Sequence, residues 1–173
     1  VWALPENPLL TAPTVGQLVD AIDGTLYSGD PALLDREVLG VTVAGMAMEH
    51  VLERTFESGV VVVAGDRTET LLALLLAQQA DSFPSLAALV VNGPFEFSPV
   101  IQQLLEGVEP NLPIIRTVHG TFDTATRIVN TRGSLGRDHH RKHTTALADF
   151  AAHVDADELV KLLEVPEPGV ITP

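Results

Sequence analysis

Gly59-Val60-Val61-Val62-Val63-Ala64-Gly65-Asp66-Arg67-Thr68-Glu69-Thr70 joins four consecutive valines to a short polar turn, and an apolar helical pattern begins at Leu71. A wholly apolar, β-branched run reads as a strand covered on both faces, as in a parallel sheet. The run stops at Gly65. Between strand and helix lies a tight turn carrying an acid, a base and two hydroxyls. In open α/β sheets, ligands collect at such turns, outside the carboxyl ends of strands.

The same rhythm extends outward in both directions. Upstream, residues 37–44 read as a strand, and a helix over about residues 47–56 buries Met48, Val51, Leu52 and Thr55. Downstream, the helix over residues 68–80 is apolar almost all round from 71 to 77. It must therefore be covered on most sides, which suggests a subunit or domain interface. Residues 87–91 form another buried strand that opens into Asn92-Gly93-Pro94. Ser98 caps the next helix with Pro99 at its first position, and Val100, Ile101, Leu104 and Leu105 are its buried side. Residues 112–117 are a strand ending in Val118-His119-Gly120-Thr121, before a helix over 121–130.

Alternation of this kind predicts an α/β fold: a mostly parallel sheet flanked by helices on both faces, in three layers. Before it, Thr14 and Gln17 form a capping box for a helix closed by Gly24, and residues 25–27 make a short strand. After it come two C-terminal helices. One spans about 138–154, and the second is capped by Asp155 or Asp157 and buries Leu159, Leu162 and Leu163. The expected division is an arm over residues 1–13, rich in proline, a single domain over 14–164 and a linker over 165–173.

The 173 residues carry 23 acids against 10 bases, a net charge of −13. That disfavours nucleic acid and anionic membrane as partners, because both need a basic face, while leaving room for one small anion at a local basic spot. There are no cysteines, which removes disulfides, thiolate metal sites and cysteine nucleophiles. No apolar run reaches the ~18 residues of a membrane span, and no basic segment precedes an apolar one as in a secretory signal. A cytoplasmic domain is the expectation. The start at Val1 and the ending at Val170-Ile171-Thr172-Pro173 suggest a segment of a longer protein, and are equally compatible with trimming.

Three turns supply the candidate ligand residues. Gly65, Asp66, Arg67 and Thr68 offer a helix N-terminus for an anion, with Arg67 as a bidentate clamp. Alternatively, Asp66 is simply the helix cap or pairs with Arg67. Asn92 and Gly93, and His119 with its following glycine, close neighbouring strands, so in a parallel sheet all three turns share one edge. The alternative is that Gly93 and Gly120 merely permit tight turns. The run Asp138-His139-His140-Arg141-Lys142-His143 spaces His139 and His143 at i, i+4, as a metal pair would be. It has no glutamate of a His-Glu-x-x-His motif and no third ligand nearby, so it reads as a solvated helix start. No Gly-x-Ser-x-Gly elbow or other catalytic constellation is present, and no cofactor or metal is expected.

The Gly65-Asp66-Arg67-Thr68 turn after a valine strand resembles the DRTGG domain. The order of motifs resembles the middle segment of the long-form bacterial phosphate acetyltransferase family. The agreeing stretches are Pro8-Leu9-Leu10-Thr11-Ala12-Pro13-Thr14-Val15, Val41-Thr42-Val43-Ala44, the valine strand and its turn, Leu89-Val90-Val91-Asn92-Gly93, the turn and helix from His119, and Val170-Ile171-Thr172-Pro173. Glu69 and Thr70 stand where the name motif has two glycines. The resemblance implies a parent enzyme interconverting acetyl-CoA plus phosphate with acetyl phosphate plus CoA. Catalysis would lie in a domain beyond residue 173, with an ATPase-like domain before residue 1. This segment would serve regulation and assembly, as a homo-oligomer with the other parent domains as partners and a small anionic metabolite or nucleotide as ligand. The implied fold is similar to the N-terminal domain of HPr kinase. A stand-alone sensor and, more remotely, a metal-dependent hydrolase are the competing readings.

Overall fold

Val60, Val62 and Val61, Val63 point to opposite faces of one strand, and all four are buried. That strand is β3 (Gly59–Ala64), an interior strand of a five-stranded sheet of order β1-β5-β4-β3-β2. Its companions are β1 (Thr25–Ser28), β2 (Gly40–Val43), β4 (Ala88–Asn92) and β5 (Ile114–Thr117). β2 to β5 pair in parallel, while β1 runs antiparallel to β5, with Thr25 opposite Arg116. The computed structural model describes residues 2–107, 111–134, 136 and 139–163.

The parallel strands follow one another in both sequence and space. Right-handed crossovers between them therefore place every connecting helix on one face. These are α3 (Met48–Leu52), α4 (Thr68–Ala77) and α5 (Pro99–Glu106). Val51, Leu71, Leu74, Leu75 and Leu105 pack there with Val61, Val63, Leu89, Val91 and Ile114. The opposite face is covered by α2 (Val15–Ala21) and α6 (Thr121–Asn130). There Val15, Leu18 and Ile128 meet Val60, Val62, Val90 and Ile115. The three layers match the α/β architecture expected from the alternation of elements.

The described residues fall into two compact units: those between 11 and 134, which contain the sheet, and those up to 10 together with those after 134. In the first, the Thr14–Gln17 capping box is complete, at 3.3 and 3.0 Å. In the second, α7 (His140–His153) and α8 (Ala156–Leu162) are the two C-terminal helices, with Asp155 capping α8. The proline-rich arm is not wholly extended, since Pro8–Thr11 forms one helical turn, α1, begun by the Asn7 side chain. Among the described residues, no helix is long and apolar enough to cross a membrane.

Several apolar stripes face another way than their spacing implied. On α5, Leu105 is buried and Ile101 half-buried, but Val100 and Leu104 are exposed, at 66% and 48%. Two adjacent i, i+4 pairs lie about 100° apart on a helix, and only one pair faces the sheet. Leu162 and Leu163 on and after α8 are likewise exposed rather than buried, as is Met48. The apolar α4 needs little outside cover: Leu71, Leu74, Leu75 and Ala77 are buried, Leu72 and Ala73 half-buried, and Leu76 alone of residues 71–77 is exposed, at 69%.

Leu74→Ala should therefore lower unfolding free energy by about 2–5 kcal/mol, while Leu76→Ala should change it by less than about 0.5 kcal/mol. Urea denaturation of the two variants measures the difference.

Candidate functional site

Ala64, Asn92 and Thr117 stand side by side in the register of β3, β4 and β5. The three turns consequently share the carboxyl edge of the sheet, as parallel strands require. Asn92 binds them together. Its carbonyl accepts the Gly65 N–H at 2.9 Å, and its side-chain Nδ2 donates to the His119 carbonyl at 3.3 Å and to Thr121 Oγ1 at 3.0 Å. Asn92 is only 2% exposed, and its Oδ1 is buried without a hydrogen-bond partner. Its side chain is thus a staple between turns. Gly93 follows at φ +95, where a Cβ would come within 3.0 Å of the Phe95 ring.

Arg67 reaches across to the loop after β2. Its Nη1 donates to the Ala44 carbonyl and its Nη2 to the Met46 carbonyl, both at 2.8 Å, and its Nε faces Glu69 Oε1 at 3.3 Å. Asp66 is exposed, and Arg67 rather than Asp66 occupies the cap position of α4, with no side chain of its own as cap. The same Glu69 oxygen accepts from Thr70 Oγ1 at 3.2 Å. The Glu69 carboxyl is held below its ordinary range by its own backbone N–H and by hydrogen bonds from Arg67 and Thr70.

His119 lies between two carboxylates: Nε2 is 3.1 Å from Asp23 Oδ2 and Nδ1 is 3.1 Å from Asp123 Oδ2. Arg127 closes the ring, 3.0 Å from Asp23 and 3.2 Å from Asp123. The hydrogen bond from His119, followed by the Arg127 charge, holds the Asp23 carboxyl below its usual value. Asp23 adopts φ +47 in the turn before β1, a conformation that aspartate tolerates better than most residues. Asp23, Asp123 and Arg127 escaped the sequence reading, although the i, i+4 spacings of His119, Asp123 and Arg127 were a usable signal.

A cavity lies elsewhere, at the seam between β5 and the antiparallel β1. It measures about 450 Å³ and is lined by Asp23, Thr25, Tyr27, Gly93, Glu96 and Arg116, among others. Of the seven candidate residues, only Gly93 lines it; His119 touches it through Asp23. The parallel strands contain no reversal of order, and such reversals are what open a crevice at strand ends. The change of direction at β1 opens one instead. Arg116 anchors this cleft, and its one signal in the sequence is a charge within an apolar strand, Ile114-Ile115-Arg116-Thr117.

The DRTGG domain family matches residues 17–131. The chain belongs to the DRTGG domain family. Phosphate acetyltransferase of Nitratidesulfovibrio vulgaris is 28% identical over 174 residues, covering 100% of this chain and 25% of that protein. Phosphate acetyltransferase of Synechocystis is 25% identical, covering 98% of this chain and 24% of that protein. The chain thus spans about a quarter of the length of these curated relatives. A crystal structure of the CBS and DRTGG domains of the regulatory region of Clostridium perfringens pyrophosphatase, complexed with the activator diadenosine tetraphosphate, superposes with a TM-score of 0.54. It is 20% identical and covers 72% of this chain and 51% of that one.

In this DRTGG domain the name motif has become Asp66-Arg67-Thr68-Glu69-Thr70. The first exchanged glycine explains the state of the turn. An N-terminal helix end attracts an anion, and here the Glu69 carboxylate supplies one from within the chain. In the other unit, His139 Nδ1 accepts the Gly136 N–H at 3.1 Å and His143 Nε2 lies 2.9 Å from the Gly136 carbonyl. Among the described residues, no three His, Asp or Glu side chains gather as a metal site would need.

Arg67→Ala should cost about 1–3 kcal/mol, because two backbone carbonyls lose a charged donor; chemical denaturation checks it. Glu69 is ionised more readily in the folded chain than in the unfolded one. Its contribution is present above the unfolded value and is lost as pH falls through the lower folded value. Glu69→Gln should accordingly melt below the parent chain near pH 6, with the gap closing below about pH 4. Thermal scans at several pH values test this.

Proposed function

We propose that this chain is a regulatory and assembly domain of a cytoplasmic phosphate acetyltransferase, with catalysis carried by another domain of the parent protein. One observation carries the reading: phosphate acetyltransferases align with 98–100% of this chain, while the aligned part is only about a quarter of each relative. A module of that kind is expected to act through contacts with neighbouring domains and with other copies. The parent reaction would be acetyl-CoA plus phosphate giving acetyl phosphate plus CoA.

A ligand-sensing role within that module has its own support in the cleft of about 450 Å³ at the β1–β5 seam, a size suited to a metabolite or nucleotide. The expected ligand is small and anionic, and at the DRTGG turn it would have to compete with the Glu69 carboxylate for Arg67.

The deciding experiment compares acetyl phosphate formation by the parent protein with and without residues 1–173. Turnover should persist after removal, while metabolite control and the sedimenting mass should change. Acetyl phosphate formation by residues 1–173 alone, or unchanged control and mass after their removal, would overturn the proposal.

A further inference from the structure

Arg116 is fixed on one side and exchangeable on the other. Its Nη2 donates to the Phe95 carbonyl at 2.6 Å. Its Cζ lies 5.3 Å from the Phe97 ring centre and 5.8 Å from that of Tyr27, and the two rings meet edge to face at 5.3 Å. A backbone carbonyl and packed rings hold the guanidinium fork in place whatever else binds it. The remaining donors go to Glu96, Nη1 to Oε2 at 2.9 Å and Nη2 to Oε1 at 3.2 Å. This two-pronged geometry is one that carboxylates frequently adopt on arginine.

The two partners differ in how firmly they are seated. The Arg116 side chain is 21% exposed, the Glu96 side chain 78%. An exposed carboxylate on a surface pair contributes roughly 0–1 kcal/mol, since water and entropy offset its attraction. A carboxylate from solution that also fills the cleft beside it gains contacts that Glu96 lacks. The exposed residues Thr25 and Tyr27 line that space. Asp23 on the rim disfavours a second negative group and accepts hydrogen bonds from hydroxyls.

We propose that the β1–β5 cleft binds a small hydroxylated monocarboxylate, whose carboxylate replaces Glu96 on Arg116. Glu96 is then the internal stand-in for the ligand. Its release leaves the loop after β4 in place, because the Phe95 carbonyl stays on Arg116 and Phe97 stays buried. The inference rests on the ligand-sensing reading of this module and adds the seat and the chemistry.

Tyr27 is the single tyrosine, so 3-fluorotyrosine labelling of the full chain places one fluorine in the cleft. Titration with gluconate as probe should shift that ¹⁹F resonance saturably, while citrate and inorganic phosphate, carrying more charge, should not. Glu96→Gln should tighten gluconate binding roughly twofold to fivefold, as expected when a weak surface pair no longer competes. Arg116→Gln should abolish the shift. If that variant does not fold, as judged by circular dichroism, the Glu96→Gln gain still decides. No saturable shift with gluconate in the parent chain and Glu96→Gln, a response to phosphate or citrate alone, or unchanged binding in Glu96→Gln would each overturn the proposal. Gluconate binding without any effect on acetyl phosphate formation by the parent protein would leave the site standing and remove the regulatory reading.

Discussion

Burial of the valine strand on both faces is the constraint from which the rest of the sheet-bearing unit follows. Val60 and Val62 need one apolar layer and Val61 and Val63 another. A strand with no wet face must lie inside a sheet, with helices above and below. Because the parallel strands are consecutive neighbours, handedness sends α3, α4 and α5 to one side. The other side is left for α2 and α6. The carboxyl ends of β3, β4 and β5 then fall on one edge, and Asn92 joins their turns with hydrogen bonds from both backbone and side chain.

That edge is neutralised from within. Glu69 lies on the start of α4, Glu96 on Arg116, and Asp23 with Asp123 on His119 and Arg127. In a chain of net charge −13, few cations are available and carboxylates are plentiful, and Arg67, Arg116, His119 and Arg127 each have an acid beside them. These pairings have different consequences. Arg67 is committed to two backbone carbonyls and has a structural duty. Arg116 is anchored by one carbonyl and two rings, and its remaining donors face an exposed acid beside an open cleft. The same residue type serves as scaffold in one place and as a candidate receptor in the other.

The departure at Glu69 ties the electrostatics to the family pattern. A glycine at that position leaves the helix end open to a ligand from solution, whereas a glutamate fills it with a carboxylate of its own. The module retains the fold that arranges three turns on one edge, while the cavity lies one strand further along, where β1 reverses direction.

By itself the sequence determined the strands, most helices and several caps, because these depend on local patterns: the unbroken β-branched run of β3, the Thr14–Gln17 box, the Ser98-Pro99 start of α5. It also placed the three turns on a common edge, since parallel pairing of neighbouring strands leaves no other geometry. Tertiary structure alone decided which stripe of α5 faces the sheet, and that α4 is covered largely by its own unit. It also brought Asp23 to His119 across 96 positions of sequence separation. Most importantly, it decided that β1 pairs antiparallel with β5, which sets Thr25 opposite Arg116 and makes both of them walls of the same cleft, with Gly93 and Glu96 of the loop after β4. Such pairings are long-range: they depend on which edge strand remains free once the core is covered, and no local pattern of residues records that.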